Sequence, residues 1–508
     1  MRHYLLAFLF PFFSLAQAQS QEPSLHYTLS ALQPASHYFH VDLQSAGWSR
    51  DTLNFQMPNW APGYYQLLNF ANAVESIVAK DDKGSNLSLR KLNDNTWQLA
   101  GIRGKSFTIA YDVKTSIQFV AQSYVDEKHG YAVLAGIFMY PAGYLHMPVN
   151  VKINTNNNWK IATGLDTVDK PNEFYAANFD ILYDCPVLMG DLEELPSFSV
   201  KGIEHRFIGY ALNGFDKVAF MKKLEKVVDA AVGIIGEIPF NRYTFIAIGP
   251  GRGGIEHLNN TTFGFEGKGL DSEESSNRMM NFLAHEYFHH YNVKRIRPFE
   301  LGPFDYNKGS KTNLLWVSEG LSVYYEFLIV RRAGLTSEQG LLANFERVIT
   351  ANENNPGRLH QSLTQASFKT WSDGPMGTQG DDPKKSISYY DKGPAIGWLL
   401  DLAIRQASQN KKSLDDVMKL LYHRYYLELQ RGFTDAEFQQ TCETVAGAPL
   451  TEVFEYVYTT RDVDYNKYLG YAGLRLEVTD VGDKKKFSVK QLEKTNDLQK
   501  AIWKSWAK

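Results

Sequence analysis

The sequence reads His285-Glu286-Tyr287-Phe288-His289 near its centre and Trp316-Val317-Ser318-Glu319-Gly320 a short way further along. In a helix, His285 and His289 lie one turn apart on the same face, so both imidazoles can reach a single metal ion. Glu286 then projects beside them towards a water on that ion. The first stretch is therefore the H-E-x-x-H pattern of a zinc-binding helix, although a pattern this short also arises by chance.

Apolar residues around this stretch repeat with the period of a helix, which predicts that one face packs on a core. Asp271, with Glu274 three residues later, is expected to cap the start of the helix, and Pro298 is expected to end it. The repeating residues are Met280, Leu283, Tyr287 and Tyr291.

A second apolar stretch, residues 314–330, predicts another helix and offers the carboxylate that a catalytic zinc needs as a third protein ligand. Glu319 shares its predicted face with Val323. An unpaired acid on this buried face would be costly, so we assign Glu319 as the third ligand. The alternative is that Glu319 is a surface glutamate. Glu326 lies seven residues later on the same face. It either holds a ligand imidazole from outside or is an ordinary solvated acid. His290 is assigned to packing or capping.

Length and composition indicate a large globular chain. With 508 residues and 44% hydrophobic content, the chain can bury several cores, which suggests two to four domains. A net charge of -3 gives no electrostatic case for nucleic acid or for an acidic membrane surface, so we expect a small or peptide ligand. Cys185 and Cys442 are expected to be buried singly, although a disulfide stays possible. The oligomeric state is left open.

The N-terminus has the pattern of a secretory signal peptide over residues 1–18. Arg2 and His3 precede an apolar run, residues 4–15, and Ala16-Gln17-Ala18 forms a cleavage site. The run is too short to span a bilayer, and no later stretch approaches the ~20 residues required. We therefore expect export to the periplasm or beyond, without a stable membrane anchor; an uncleaved anchor is the alternative.

Residues 24–200 alternate in short β-rich runs separated by turns, which predicts an all-β N-terminal domain of sandwich type. Within it, residues 58–65 read Pro-Asn-Trp-Ala-Pro-Gly-Tyr-Tyr. Such a proline-rich aromatic turn is a rigid corner that either plugs the sandwich or lines the rim of the active site.

Residues 201–335 mix helical and β patterns, which predicts an α+β catalytic domain. A helix is expected over residues 215–235 and a strand over residues 243–248. The strand leads into residues 250–257, Pro-Gly-Arg-Gly-Gly-Ile-Glu-His. Its glycines allow the close approach of an extended peptide to a strand edge, with a glycine hairpin turn as the alternative. The predicted substrate-binding residues here are Gly253, Gly254 and Glu256.

Residues 336–465 are predicted to form a helical domain. Thr336 and Gln339 read as a capping box for a helix that ends by Asn355, and residues 371–385 as a long polar loop over the site. Residues 466–508 are expected to form a short C-terminal segment, with residues 484–508 a strand followed by a basic tail. Further helices are expected over residues 394–408, 414–429, 435–446 and 451–458.

Together these motifs resemble the glycyl aminopeptidase family of secreted bacterial zinc metallopeptidases, in the gluzincin clan. The matching segments follow the family's order: residues 253–257, 285–298 (HEYFHHYNVKRIRP), 315–325 (LWVSEGLSVYY) and 389–393 (YYDKG), with residues 58–64 similar to its N-terminal motif. The resemblance implies a β N-terminal domain, a thermolysin-like catalytic domain, a helical domain and one zinc ion per chain.

The resemblance also implies catalytic roles. By position, Tyr390 is expected to stabilise the tetrahedral intermediate, with Tyr389 as its only rival. Two departures from the family stand out: Tyr291 replaces an expected tryptophan, and residues 466–508 are too few for the PDZ domain that the family commonly carries.

The expected function is a zinc aminopeptidase that removes small N-terminal residues, Gly or Ala, from peptides. Glu286 is expected to be its general base, and Glu256 is expected to bind the free α-amino group of the substrate. A zinc endopeptidase on the same scaffold is the first alternative. A peptide-binding protein that keeps zinc without turnover is the second.

Overall fold

The computed structural model describes residues 23–115, 117–156, 158–270 and 272–508. The predicted signal peptide and Asp271 lie outside these residues. Within them, no helix combines the length and the apolar character needed to cross a bilayer.

The N-terminal domain is built from strands, as predicted, with one short helix. Its largest sheet has seven strands in the order β13-β14-β11-β1-β2-β7-β4, and two sheets of four strands have the orders β10-β3-β6-β5 and β12-β15-β9-β8. Buried residues alternate with exposed ones along the central strands, which is why the period-two pattern predicted β structure. The elements are β1 (Ser24–Ala31), β2 (Tyr38–Ala46), β3 (Thr52–Gln56), β4 (Val74–Asp81), β5 (Ser88–Asn93), β6 (Thr96–Ala100), β7 (Phe107–Lys114), β8 (Tyr124–Val125), β9 (His129–Ala132), β10 (Tyr140–Pro141), β11 (Val149–Thr155), β12 (Lys160–Thr163), β13 (Asp166–Thr167), β14 (Glu173–Ala176), α1 (Phe179–Tyr183) and β15 (Val187–Gly190).

The catalytic domain combines a mixed sheet with three helices. The central strands β18, β19 and β21 are parallel, and β20 pairs antiparallel with β21 at the edge. Strands β16 and β17 already pair with β18, so this sheet begins before the predicted boundary at residue 200. The elements are β16 (Leu192–Glu194), β17 (Phe198–Val200), β18 (Ile203–Tyr210), α2 (Lys217–Ile235), β19 (Arg242–Ala247), β20 (Gly249–Glu256), β21 (Asn260–Phe265), α3 (Glu273–Phe288) and α4 (Leu321–Arg332).

Helix α3, which carries the H-E-x-x-H pattern, differs from the prediction at both ends. The side chain of Ser272 caps its start in a box with Ser275, so Glu274 is an ordinary first-turn residue. Its last residue is Phe288, well before Pro298. The helix stops early because the chain turns sharply after it: Val293 has a φ of 150°, and Asn292 bonds to backbone carbonyls elsewhere.

The C-terminal half is helical, as predicted, with a short hairpin. It differs in detail: Ser337, and not Thr336, caps α5, and part of the predicted polar loop is the helix α6. Helix α7 begins at Tyr389, five residues before the predicted start at Pro394. The elements are α5 (Glu338–Glu353), α6 (Leu363–Asp373), α7 (Tyr389–Ala407), α8 (Leu414–Leu421), α9 (Asp435–Ala446), α10 (Thr451–Tyr458), α11 (Tyr465–Gly470), β22 (Leu474–Val481), β23 (Lys484–Gln491) and α12 (Asp497–Trp506).

The expected basic tail is instead a folded hairpin and helix. Trp506 is fully buried, its ring stacks on Trp398 with centroids 5.0 Å apart, and its indole N–H donates to the hydroxyl of Tyr324 at 3.0 Å. The sequence gives little indication that this helix packs on the core, because only Ile502 and Trp506, one turn apart, are buried and lysines occupy its exposed face.

Two hydrophobic clusters organise the chain, one in the β domain and one shared by the catalytic and helical domains. Trp60 and Tyr65 belong to the second cluster, although they lie in the N-terminal part of the sequence. Cys185 and Cys442 are both buried and free, and each lies in a different cluster.

Helix α7 crosses the turn before α4 at two glycines. A Cβ atom on Gly320 would lie only 2.7 Å from the Cα atom of Gly393, so the two backbones are in direct contact there. Neither residue can carry a side chain without separating the elements. This crossing positions Tyr390, at the start of α7, beside Glu319.

We expect Gly393→Ala to lower the free energy of unfolding by about 1–3 kcal/mol, because the added methyl group forces the helices apart. Urea unfolding measures this. Gly233→Ala is the matched control, because a Cβ at this exposed helical glycine meets nothing within 4 Å. The control should keep or slightly raise stability. A Gly393→Ala protein as stable as the control would contradict the close crossing.

Candidate active site and metal centre

His285, His289 and Glu319 converge on one point. Their ligand atoms all lie within 4.8 Å of one another, and the residues are buried. The Nε2 atoms of the two histidines are 2.9 Å apart. The Glu319 Oε2 atom is 3.5 Å from the Nε2 of His285 and 3.3 Å from that of His289. Among the described residues, this is the cluster that could hold a metal ion.

The early end of α3 orients the second histidine. The Nδ1 atom of His289 lies 2.7 Å from the backbone carbonyl oxygen of Asn292. A proton on Nδ1 therefore satisfies that carbonyl and leaves Nε2 free as a ligand. The Asn292 amide in turn donates to the carbonyls of Val317 and Ser318, at 2.8 and 3.1 Å. Sequence analysis did not identify Asn292, which ties the turn after α3 to the turn that carries Glu319.

Glu319 lies in a π-helical turn, Trp316–Gly320, that runs directly into α4. Regular helical geometry predicted its face, but such a wider turn changes the direction of a side chain and often occurs at functional sites. Glu319 is buried and accepts a hydrogen bond from the Tyr390 hydroxyl at 2.9 Å. The surface-glutamate alternative is therefore excluded.

Glu326 lies behind the first histidine. Its Oε2 atom is 3.1 Å from Nδ1 of His285, and its side chain is only 14% exposed. This placement favours a residue that holds the ligand imidazole from outside over a solvated helix acid.

The charges in the cluster depend on one another. Burial by itself would lower the pKa of His285, but the neighbouring carboxylates of Glu319 and Glu326 outweigh it and raise that pKa well above its usual range. Burial would likewise raise the pKa of Glu319, but the two histidines hold it well below its usual value. A buried carboxylate facing two imidazole nitrogens is thus stabilised by positive charge. Two nitrogens and one oxygen are donors that zinc accepts, so the residues fit this ion.

Glu286 lies beside the cluster without belonging to it. Burial, first of all, raises the pKa of its carboxyl group to about 7, with the histidines acting in the opposite direction. Its Oε2 atom accepts a hydrogen bond from Thr261 at 3.4 Å. A Cβ atom on Gly254 would lie 2.4 Å from its Oε1 atom, so the backbone of β20 passes directly against this carboxylate.

The glycine-rich segment is a bulged edge strand and not a hairpin turn. Residues 249–256 form β20, with a register shift between Gly249 and Gly254. Residues 250–253 are exposed, and Gly253 has a φ of 82° that favours glycine. The free edge of β20 is therefore accessible to an extended chain beside Glu286.

Glu256 ends β20 and is buried. Gly63 of the N-terminal domain lies against it: a Cβ there would be 3.0 Å from the Glu256 Oε2 atom and 2.6 Å from Ile255. Residues 58–65, which we call the aromatic corner, therefore line the active site, as one of the two predicted alternatives stated. Tyr65, which the sequence analysis did not single out, is buried there too.

A buried ion pair fixes the end of β20 to the N-terminal domain. Asp184 accepts hydrogen bonds from the backbone N–H of Leu258 at 2.6 Å and from Lys294 at 2.5 Å, and its Oδ1 atom is 3.3 Å from Nδ1 of His257. Burial alone would raise the pKa of Asp184, but Lys294 and His257 lower it. Residues of the N-terminal domain and of the catalytic domain thus both fix the end of β20, where Glu256 lies.

Tyr390, rather than Tyr389, faces the cluster. Its ring centroid is 6.1 Å from that of His285, whereas the Tyr389 hydroxyl pairs with Thr370 at 3.0 Å away from the metal ligands. Burial and the charge of Glu319 raise the pKa of Tyr390 well above its usual range, so its hydroxyl keeps its proton. His290 is surrounded by the rings of Tyr291, Tyr287 and Phe240, which agrees with a packing role.

A metal-ligand cluster of two histidines from an H-E-x-x-H helix and one glutamate, with an adjacent carboxylate, defines the chain as a metallopeptidase. Two family models match it in order: the N-terminal domain of peptidase family M61 over residues 26–191, and the M61 glycyl aminopeptidase model over residues 278–396. Together they cover more than half of the chain. The chain belongs to this family.

Solved structures agree with the assignment. The chain is similar to a crystal structure of an aminopeptidase N family protein from Idiomarina loihiensis, at 25% identity and a TM-score of 0.83, over 89% of this chain and 79% of that one. It shares its fold with an M1 zinc metallopeptidase from Deinococcus radiodurans, at 11% identity and a TM-score of 0.52, over 86% and 92% of the two chains. A variant of that enzyme, bound to a Tyr-Ser-Ala substrate, matches at 12% identity and a TM-score of 0.53, over 87% and 94%. No curated protein matches the chain.

We expect His289→Ala to lose most of its bound zinc, because two of the three ligands cannot hold the ion tightly. Elemental analysis after dialysis against a weak chelator measures zinc per chain. His290→Phe, which replaces the neighbouring packing histidine by a ring, is the matched control and should keep its zinc. Full zinc content in His289→Ala would rule out this ligand set.

Proposed function

We propose that this protein is a zinc-dependent aminopeptidase that removes single residues from the free N-termini of peptides, with a preference for Gly or Ala. The observation that carries the proposal is the position of Glu256, a buried carboxylate at the end of the strand whose backbone touches Glu286. The preference for small residues rests on membership of the glycyl aminopeptidase family alone.

One zinc ion would be held by His285, His289 and Glu319. Bound there, zinc supplies a Lewis acid that polarises the scissile carbonyl and acidifies a water molecule. Glu326 and the carbonyl of Asn292 hold the two imidazoles so that each presents Nε2 to the ion.

Glu286 would act as the general base. A carboxyl group with a pKa near 7 is well matched to taking a proton from water and giving it to the leaving amine at neutral pH. Thr261 and the backbone at Gly254 fix this carboxylate beside the ligands, which suits proton transfer rather than coordination.

Tyr390 would stabilise the negative charge that develops on the carbonyl oxygen. Its hydroxyl keeps its proton and donates to Glu319 in this structure, so this donor already lies beside the metal ligands and could turn to a new oxyanion there. A peptide-binding protein without turnover would not need this donor, a base and a ligand set in one place.

The substrate would lie along the free edge of β20. An extended peptide can pair there with backbone groups of Gly253 and Gly254, which carry no side chains to obstruct it. The Tyr-Ser-Ala complex of the M1 relative supports a short peptide as ligand.

Glu256 would then decide between an aminopeptidase and an endopeptidase. An α-amino group, with a pKa of ~7.7–8.0, is largely cationic at neutral pH and forms a charge-assisted hydrogen bond with a carboxylate. A buried carboxylate is costly without such a partner. An internal peptide bond offers only a neutral amide at this position, so Glu256 favours free N-termini.

We also propose that the protein is exported, on the signal-peptide pattern of residues 1–18. Two short runs that flank the apolar run, Arg2-His3 and Ala16-Gln17-Ala18, support this location.

Glu286→Gln should keep the fold and the zinc but lose most of its turnover, by about a hundredfold or more, because the amide cannot accept the proton. The rate of Gly-p-nitroanilide hydrolysis at saturating substrate measures it. Glu274→Gln, an exposed position on the same helix, is the control and should match the wild type. A nearly wild-type rate for Glu286→Gln would show that another group is the base.

The wild-type protein should cleave free Gly-peptides roughly ten- to a hundredfold better than their N-acetylated forms, since a lost charge-assisted bond costs about 1.5–3 kcal/mol. Mass spectrometry of the products, with kcat/KM for each pair, measures this. Glu256→Gln should shrink the difference, whereas Glu266→Gln, a partly exposed acid in the same domain, should not. Equal cleavage of both forms, with products from internal bonds, would establish the endopeptidase instead.

A further inference from the structure

A cavity separate from the candidate active site lies where the three domains meet. Its volume is about 400 Å³, which suits a small molecule. The N-terminal domain contributes Asp180 and Asp184 to its walls, the catalytic domain contributes Val293 and Arg297, and the helical domain contributes Arg431. The cavity shares no described residue with the candidate metal, catalytic and substrate-binding sites.

Two of the three cations that line this cavity already have carboxylate partners. Lys294 donates to Asp184 at 2.5 Å, and Arg431 donates to both oxygen atoms of Glu437, at 2.6 and 2.9 Å. The guanidinium of Arg297, in contrast, forms no hydrogen bond with any described residue, and burial lowers its pKa from the usual value. A partly buried cation without an acceptor is costly, so Arg297 is suited to bind an anion from outside the chain.

Backbone contacts hold Arg297 in position. Its carbonyl accepts a hydrogen bond from the backbone N–H of Phe433 at 2.9 Å, which joins it to the helical domain. A Cβ atom on Gly302 would lie only 2.4 Å from its Cζ atom, so the guanidinium lies directly against the backbone there. A guanidinium fixed in this way can present two parallel N–H groups to a single carboxylate.

Asp180 offers the opposite charge in the same cavity. Its Oδ1 atom accepts a hydrogen bond from the Tyr306 hydroxyl at 2.6 Å, but no described residue donates to its Oδ2 atom. Asp180 and Arg297 do not form an ion pair with each other. A ligand with both a carboxylate and an ammonium group would provide a partner for each, whereas an inorganic anion would serve Arg297 alone.

Apolar side chains form much of the remaining wall. Phe299, Phe304, Val293 and Pro303 line the cavity, and the ring of Phe299 is accessible, with 48% of the residue exposed. Sites for small molecules typically combine such an apolar wall with a few polar groups that fix the orientation of the ligand. The best-matched ligand therefore carries an apolar body beside its two charges, which is the chemistry of an apolar α-amino acid.

We propose that this cavity binds a free apolar α-amino acid, with its carboxylate on Arg297, its ammonium group on Asp180 and its side chain against Phe299 and Phe304. The proposal does not depend on the proposed peptidase function, because it uses none of the residues of the reaction centre. Since the walls come from three domains, a bound amino acid also joins them and stabilises the folded chain.

Isothermal titration with L-leucine tests the site. Glu256→Gln removes the acid that would bind an amino group at the reaction centre, and this variant should still bind leucine. Adding Arg297→Gln to it should weaken binding roughly ten- to a hundredfold, because a charge-assisted hydrogen bond is lost. Adding Arg278→Gln is the matched control, since this arginine on α3 is 65% exposed, and it should leave binding unchanged.

Two analogues test the charges of the ligand in the Glu256→Gln protein. L-leucinol lacks the carboxylate and 4-methylpentanoate lacks the ammonium group, so each should bind at least about tenfold less tightly than L-leucine. If the Arg297→Gln protein does not fold, Asp180→Asn serves, because its amide keeps an acceptor for Tyr306, and it should also weaken binding.

Three results would overturn the proposal. The first is no binding of leucine at millimolar concentration, and the second is equal binding of leucine and either analogue. The third is binding that disappears in Glu256→Gln alone, which would place the amino acid at the reaction centre. Unchanged binding in the folded Arg297 or Asp180 variant would likewise exclude this cavity.

Discussion

The site depends on one interaction, the approach of the buried Glu319 carboxylate to the Nε2 atoms of His285 and His289. A carboxylate removed from water is costly unless opposite charge and hydrogen bonds replace the lost hydration. Here the two imidazoles lie 3.3–3.5 Å away and the Tyr390 hydroxyl donates to it. The rest of the structure holds these groups in place, and zinc would complete the compensation.

Three parts of the chain converge to hold these groups in place. The catalytic domain supplies α3 and the π-helical turn, which Asn292 joins through the carbonyls of Val317 and Ser318. The helical domain brings Tyr390 in through the contact of Gly320 with Gly393. The N-terminal domain adds the aromatic corner beside Glu256. The β domain therefore contributes to the surroundings of a site whose candidate metal ligands all lie in the second half of the chain.

Local pattern was enough to predict that His285, His289 and Glu319 come together, because the four-residue spacing puts the histidines on one face and the apolar stretch around Glu319 predicts its burial. It could not predict features that depend on distant contacts. The sequence gives no local signal that α3 ends at Phe288, since Asn292 turns the chain by bonding across to another segment. The burial of Trp506 depends in the same way on Trp398, and the burial of Tyr65 depends on the domains against which the aromatic corner packs.

We propose that one zinc ion lies between His285, His289 and Glu319. Crystals of the wild-type protein, purified without chelators and measured on both sides of the zinc absorption edge, test it directly. We expect a single anomalous peak per chain that contacts Nε2 of His285, Nε2 of His289 and the Glu319 carboxylate. A peak bound elsewhere, or none after soaking with zinc, would contradict it.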